Sequence, residues 1–386
     1  MFSRTRKSLP NSRATRILAT SGPGEVRALA LEGEIPRDSA IERPGGPLGL
    51  DDIIIGRVTT RVPAMAGAFV ALPGGSAEGF LPDTAAAPAA AAAGWSDGSH
   101  LRLRVTRGAQ GGKGPRVAAL AGAAEGPVRL LARGAGAIER LAALHPEAAI
   151  LVDRPGLAAV LPAALRPRVS VGLGDEAALA EAMWSALAER EVVLPNGARF
   201  TISPTPALTA IDVDAGSATS ERRSKKEAQL ALNGAVIPAI ARHIRLRHLA
   251  GAILVDLAGL PQRQRPMLVE AFQAALATDP LAPKFLGFSA LGLAEIQRTR
   301  RAPPLHELLA GPHAHGLAAL AALAQAWENR PAGRAGLAVS STILGAIESD
   351  PVAIEQFRDR TGRMPSLSVE SVFEDRGPPW RLVTEM

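Results

Sequence analysis

The sequence predicts a mixed α/β (α+β) protein, and three observations carry that prediction. Short apolar strands separated by Gly-rich turns crowd into residues 51–122. From about residue 127, apolar strands alternate with amphipathic helices. Residues 311–386 then read as a separate small unit in the order helix, strand, helix, strand. Strands mixed with helices in this way build α/β layers, whereas short even strands with Gly turns build small closed or stacked sheets.

Along the chain, Ile17–Gly33 reads as strand, turn, strand, and a Pro/Gly-rich stretch, Arg43–Leu48, leads out of it. Then come DIIIGRVTTRV, GAFVAL, EGFLP, HLRLRVTRG and PRVAALAG, five short strands of a small barrel or sandwich. The Ala/Pro-rich residues 84–94 are a loop inserted among them. VRLLARG and AAILVD read as strands, Glu176–Glu189 as a helix, and VVLP and RFTIS as strands around the Asn196–Gly197 turn. Leu208–Val213 is an apolar strand. Lys225–Leu249 is a long helix with Leu232, Val236, Ile240 and Ile244 at i+4 spacing, and Pro238 sits inside it. The strand Ala252–Asp256 and a helix over Met267–Leu276 follow. In the last segment Leu317–Trp327 is helical, AGLAVS a strand, Ile343–Arg360 helical, and SLSVESVFE a strand. No internal repeat is visible.

Composition narrows the function. There is no cysteine, which removes disulfides, thiolate zinc sites and thiol catalysis together. The start of the chain lacks an apolar signal core and no stretch of about 18 apolar residues occurs, so a cytoplasmic protein with no membrane partner is expected. A net charge of +6 permits a polyanionic partner without demanding one. Most of the basic residues are arginine, whose planar fork suits phosphate. Residues 1–16 carry Arg4, Arg6, Lys7, Arg13 and Arg16 with no acid and read as a disordered basic tail.

The sharpest local chemistry is LTAIDVDAGS, residues 208–217. Strand alternation puts Asp212 and Asp214 on one side and Ile211 and Val213 on the other. Two carboxylates at i and i+2 repel unless a cation or hydrogen-bond donors lie between them. Asp256 closes a second apolar strand, AILVD. Such strand-end acids either form turns and cap helices or gather a hard cation such as Mg²⁺ at the carboxyl edge of a sheet. Lys113 lies in GGKG, which misses the nucleotide P-loop pattern because Gly108 is one place late and Gly114 stands at the Ser/Thr position. It is a solvated turn lysine or a phosphate contact. Phe69 and Phe80 are barrel core or exposed stacking platforms.

PNGARFTISPTPALTAIDVDAGS, followed by ARHIRLRHLAGAILVDLAGL, resembles the catalytic region of the ribonuclease E/G family. The family blocks read approximately SGG-x-I-x-I-x-x-TEALTAIDVNSG and RQLRLRDLGGLIVIDFIDM. Upstream, IGRVTTRVPAMAGAFVAL, EGFLP and GGKGPRVAAL resemble its OB-type RNA-binding barrel, with Phe69, Phe80 and Lys113 at RNA-contacting positions. LLARGAGAIERL resembles the strand and loop of its 5′-end sensor, with Arg133 at a phosphate-contacting arginine. The resemblance implies an RNase H-like subdomain with the inserted barrel, a deoxyribonuclease-I-like catalytic subdomain and a small C-terminal α/β domain. The expected boundaries are 1–16 for the tail, 17–50 for a first RNase H-like segment and 51–122 for the barrel. They continue with 123–200 for the reduced sensor and a second RNase H-like segment, 201–310 for the catalytic subdomain and 311–386 for the small domain. The resemblance further implies a magnesium-dependent endoribonuclease of single-stranded RNA, leaving 5′-phosphate products. Asp212 and Asp256 are its metal-binding aspartates, Mn²⁺ is an alternative ion, and Asp214 stands where the family usually has Asn.

Several departures qualify this. The family's CPxCxGxG zinc element is absent and GPHAH, with His313 and His315, stands in its region as a solvated linker. No zinc is expected, and any homodimer forms without that clip. The sensor threonine is Gly134, and only about fifteen residues separate its loop from AAILVD. Pro206 and Gly259 replace acids of the two catalytic blocks. Arg242, Arg245 and Arg247 either line an RNA path or form a solvated helix face. The rival readings are a catalytically reduced RNA-binding paralogue and, more distantly, a small-molecule α/β enzyme suggested by GPGEVR and GLGDEA, neither of which completes GxGxxG.

Overall fold

A computed structural model describes residues 14–74, 78–85, 94–122, 124–216, 225–329, 335–371, 373 and 378–384. The basic tail through Arg13 and the Ala/Pro-rich loop over 86–93 lie outside the described residues. The chain divides into two compact units, one of Met1–Ala19, Ala28–Ala40 and Leu141–Thr299, the other of Thr20–Arg27, Ile41–Arg140 and Arg300–Met386.

Strands β1 (Arg16–Gly22), β2 (Glu25–Glu32) and β3 (Ile35–Glu42) open the chain. The first two are the expected strand pair. The third, IPRDSAIE, has no apolar alternation to announce it, because its centre is a buried acid. Asp38 is 6% exposed and accepts hydrogen bonds from Arg245 Nε (2.5 Å) and His145 Nε2 (2.7 Å). A buried carboxylate is tolerated only when paired and hydrogen-bonded in this way, and the partners are remote in sequence.

The barrel follows: β4 (Ile53–Val62), β5 (Gly67–Ala71), β6 (Gly79–Pro82), β7 (His100–Arg107) and β8 (Arg116–Ala119). Their order is β5-β6-β8-β7-β4, and a further β4–β5 pairing closes the ring. β6 and β8 run parallel and the other neighbours antiparallel. A five-stranded ring of this order is an OB-like barrel. Its interior holds Ile54, Val58, Ala68, Val70, Leu81, Leu103, Val105 and Val117, each at most 1% exposed. Of the two readings, barrel and sandwich, the structure is the barrel. Strand β9 (Arg129–Ala132) adds to the edge of β4.

A helix, Ala137–Leu144, that the glycines of GAGAIERL concealed, precedes β10 (Ala149–Val152) and β11 (Val169–Val171). These two strands complete a five-stranded sheet of order β11-β10-β1-β2-β3, with β10 parallel to β1 and to β11. The helix Glu176–Ala188 stands as predicted.

The next sheet positions the candidate site. It contains β12 (Glu191–Val193), β13 (Arg199–Pro204), β14 (Leu208–Asp214), β15 (Gly251–Asp256), β16 (Lys284–Phe288) and β17 (Ala294–Arg298), in the order β12-β13-β14-β15-β17-β16. β14 and β15 are its one parallel pair among the described residues. Parallel neighbours need a crossover, and the long helix Lys225–Leu246 supplies it. Val236, Ile240 and Ile244, the predicted i+4 stripe, are fully buried against Phe200, Ile202, Ile211, Ile253 and Val255, with Leu232 packed at the margin. The helix stops three residues short of the expected Leu249, where His248 takes a positive φ of 53°. The helix expected over Met267–Leu276 is a 3-10 turn, Gln262–Leu268, followed by an α-helix, Val269–Leu276.

In the last segment the helix is longer than expected, Gly311–Asn329, so GPHAH is its first turn and not a linker. His313 Nε2 lies 2.9 Å from Asp350 Oδ2. The single helix expected over Ile343–Arg360 is two, Ser341–Glu348 and Pro351–Thr361. Asp350 breaks it: its carboxylate accepts the Ala353 amide at 2.9 Å, and Pro351 starts the second helix, an N-cap followed by Pro at the first position. A three-stranded sheet, β18 (Ala335–Val339), β19 (Leu367–Val369) and β20 (Trp380–Thr384), has the order β19-β18-β20. Among the described residues no helix is long and apolar enough to cross a membrane.

Candidate active site

The burial of β14 alternates along LTAIDVD. Ile211 and Val213 are 1% and 5% exposed and face the long helix, while Asp212 and Asp214 are exposed on the other side. β15 does the same: Ile253 and Val255 go in and Asp256 comes out. The parallel register pairs Asp212 directly with Asp256. Strands so paired lie about 4.8 Å apart, so the two carboxylates stand side by side at the carboxyl ends of adjacent strands. That is where an α/β layer collects its ligands. Two like charges held together and left in solvent are costly without a counter-charge.

Asp214 is differently placed. It pairs across β13 with Arg199, whose Nη2 and Nε donate to Asp214 Oδ2 at 2.7 and 3.1 Å, and the Gly216 amide donates to Oδ1 at 2.9 Å. The Gly216 amide first, then the Arg199 guanidinium, hold the Asp214 carboxyl below the usual carboxylate range. Gly216 is obligatory at this turn, since its φ is +53° and a Cβ would lie 2.2 Å from the Gly197 carbonyl oxygen. Thr201 is the register partner of Asp212 on the same face. Asp214 is therefore the acid of an Arg199 pair beside the aspartate couple, a partnership that i, i+2 spacing alone does not reveal.

Asp256 has a basic neighbour, Arg265, with Nη1 3.6 Å from Oδ1. Arg265 is anchored by donating to the carbonyls of Leu260 (3.0 Å) and Gly292. The loop after Asp256 is held by Asn233, which is fully buried in the crossover helix. Its Oδ1 accepts the Ala258 amide at 3.0 Å, and its Nδ2 donates to the carbonyls of Ala258 (3.0 Å) and Gln229 (2.8 Å). Gly259 has a positive φ of 55°, and the space a Cβ would take is filled by Gln229 Nε2 at 2.4 Å. Gln229 thus occupies the space beside Gly259. Asn233, Arg265 and Arg199 escaped sequence reading. The available signal for Asn233 was a lone amide next to Leu232 on the apolar side of the helix.

The donor set fits a hard divalent cation held mainly through water. Mg²⁺ is commonly bound by one or two carboxylates and keeps several waters, and the couple offers two exposed carboxylates. Among the described residues no group of three or more His, Cys, Asp and Glu forms a protein cage for a metal.

In the barrel, Phe69 and Phe80 are register partners on β5 and β6 and meet edge to face, with ring centroids 5.7 Å apart. They alternate with the interior residues Ala68, Val70 and Leu81, so their rings lie on the outer side and are half-buried. Lys113 is exposed at the end of a tight turn, Gln110–Lys113, whose central Gly111 and Gly112 both take positive φ. Arg133 is committed within the chain: Nη1 donates to Asp52 Oδ2 (2.8 Å) and Nη2 to the carbonyls of Pro44 (2.7 Å) and Gly46 (3.1 Å). At Gly134 a Cβ would fall 2.2 Å from the Leu50 carbonyl oxygen, which leaves no room for a threonine. Arg245 and Arg247 neither line a path nor form a solvated face: Arg245 is bound to Asp38, and Arg247 is 6% exposed and donates to the Ala186 (3.2 Å) and Glu189 carbonyls.

Residues 171–301 match the model of the ribonuclease E/G family. Over 122 residues the chain is 37% identical to ribonuclease E of Synechocystis sp., covering 31% of this chain and 18% of that protein. It is 37% identical over 142 residues to ribonuclease E of Nostoc sp., covering 36% and 20% respectively. To ribonuclease G of Escherichia coli it is 32% identical over 131 residues, covering 33% and 27%. The chain thus spans about a quarter or less of the length of these curated relatives. The matched segment contains β12–β17 with Asp212, Asp214 and Asp256, so the likeness to the ribonuclease E/G family falls on the sheet that carries the aspartate couple.

Proposed function

We propose that the chain is a magnesium-dependent endoribonuclease that hydrolyses phosphodiester bonds in single-stranded RNA. One observation carries the reading: Asp212 and Asp256 are register partners on the parallel strand pair inside the segment that matches the family. In this reading the two carboxylates hold Mg²⁺ (or Mn²⁺), which supplies Lewis-acid charge at the scissile phosphate. Arg199 keeps Asp214 ionised, and it leaves a guanidinium half-exposed on the same face for a phosphate oxygen. Asn233 fixes the loop behind Asp256 and so fixes where that carboxylate points. Phe69 and Phe80 offer outward rings to bases, and Lys113 offers its ammonium to the backbone. Arg133 joins them only by exchanging Asp52 for a phosphate. The family's subdomain plan goes with this reading. The sheet β11-β10-β1-β2-β3 is the RNase H-like subdomain, β12–β17 the deoxyribonuclease-I-like subdomain, and action in the cytoplasm, as a homodimer without a zinc clip, completes it.

A second reading, a catalytically reduced RNA-binding paralogue, is favoured by two specific features. Arg265 already sets a positive charge 3.6 Å from Asp256, and Gly259 with Gln229 replaces an acid. A cleavage assay on a 5′-labelled single-stranded RNA, with Mg²⁺ or with EDTA, separates the two. Metal-dependent products that vanish in Asp212→Asn and Asp256→Asn, with RNA binding retained, support the enzyme. Binding with no metal-dependent product supports the paralogue.

A further inference from the structure

We infer that Arg107, Arg116 and Arg300 form a binding site on the barrel for one phosphate of the single-stranded RNA, continuing the row begun by Phe69 and Phe80. This rests on the proposed RNA-binding role and adds three residues to it.

The register of the barrel builds the row. Phe69 on β5 pairs with Phe80 on β6, Phe80 with Arg116 on β8, and Arg116 with Arg107 on β7. Four neighbouring strands therefore carry aromatic, aromatic, cation, cation in one line, with steps of about 4.8 Å. Arg116 is exposed and alternates with the interior Val117, as the two phenylalanines alternate with Ala68 and Leu81.

The third arginine is delivered by backbone bonds. The Gly108 amide donates to the Arg301 carbonyl at 2.9 Å, and Gln110 Nε2 donates to the carbonyls of Arg301 (3.5 Å) and Ala302 (3.3 Å). Pro303 lies against Gly108. These contacts bring Arg300 beside the end of β7.

Like charges directly opposite each other on a ladder are destabilising. Here two guanidinium groups are opposite and a third adjoins them, and among the described residues none of the three pairs with a carboxylate. Arg107 Nε is buried from solvent with no hydrogen-bond partner. Burial first, and then Arg116 and Arg300, lower the Arg107 pKa. A diester phosphate answers the unpaired charge: it neutralises the cluster and matches the arginine forks. Stacked bases on Phe69 and Phe80 leave the adjoining backbone at the arginine end of the row.

The test is RNA binding without cleavage. Fluorescence anisotropy of a labelled single-stranded oligouridylate is followed in EDTA over a series of KCl concentrations. Arg116→Gln and Arg300→Gln, both exposed and tolerable to the fold, are measured with Arg107→Lys, which keeps the charge. Arg358→Gln, on an exposed helix face, is the control. Each neutralising variant is expected to bind about 3- to 10-fold more weakly and to flatten the log–log salt slope by about 0.7, the value for one lost contact to a single strand. Arg107→Lys should keep the slope and lose affinity. Wild-type affinity and slope in Arg116→Gln and Arg300→Gln would overturn the site while leaving RNA binding intact. If the wild type binds no RNA, thermal shift with inorganic pyrophosphate decides. A wild-type stabilisation lost in Arg116→Gln and Arg300→Gln keeps the anion site and removes RNA as its source, and no stabilisation removes both.

Discussion

Replacing Asn233 with leucine takes away the clamp on the loop behind Asp256 while keeping the volume of the side chain. Three backbone groups lose their partner: the Ala258 amide, the Ala258 carbonyl and the Gln229 carbonyl. The Gln229 carbonyl lies inside a helix, where the ladder still serves it. The two groups at Ala258, which is half-buried, have no such alternative. An unsatisfied buried group costs about 1–3 kcal/mol, and at half-buried Ala258 the lower part of that range, about 1–2 kcal/mol for each group, applies, so the loop loses roughly 2–4 kcal/mol of local stability, offset by about 1 kcal/mol from the added apolar burial. A net local loss of about 1–3 kcal/mol raises amide exchange at Ala258 by roughly 5- to 150-fold. Hydrogen–deuterium exchange of peptides spanning 257–261 reads this directly, whatever the chain's activity. In the cleavage assay, misdirection of Asp256 is expected to lower kcat about 10- to 100-fold, as loss of a ligand's supporting shell does, with RNA affinity unchanged. Unaltered exchange at Ala258 would refute the clamp. Faster exchange with wild-type kcat would refute its role in aiming Asp256.

Two further predictions concern the same sheet. His243 is packed edge to face on Phe200 (5.5 Å between centroids), and burial first, then Arg247 and Arg242, push its pKa down to about 3. The unfolded chain binds that proton near pH 6.5, so stability is full above this value and falls as pH drops towards 3, at up to about 1.4 kcal/mol per unit. His243→Phe should narrow the difference in urea midpoint between pH 7 and pH 5, and an unchanged difference would count against the buried neutral imidazole. Gly216→Ala meets a positive φ and the Gly197 carbonyl together, at a cost of about 1–3 kcal/mol. Calorimetry should show a lower melting temperature, and the Asp214 carboxyl should titrate closer to an ordinary aspartate once the Gly216 amide is displaced.

Much of the site was legible because its chemistry is local. The alternation in LTAIDVD and AILVD sends the aspartates to one face, and the i+4 stripe in the long helix says which face is buried. What pairs with what was not legible. Arg199 meets Asp214 only because β13 and β14 share a register, and Arg265 reaches Asp256 only through a loop anchored at Gly292. β16 and β17 went unseen because KFLGF and AEIQR become strands through pairing with β15 and each other rather than through their own pattern. Tertiary pairing overrides weak strand propensity.

Residue order alone suffices for the mixed α/β class, the succession of short strands, the apolar faces and the two acids at strand ends, since periodicity and residue chemistry are properties of neighbours along the chain. Four other features come from the folded chain. β4–β8 close into a ring, Asp212 and Asp256 are partners in register, Asn233 ties the loop after Asp256 to the crossover helix, and Arg107, Arg116 and Arg300 converge. Each of these depends on which distant strand or loop lies alongside, and that choice is made by the burial and hydrogen bonding of the whole unit.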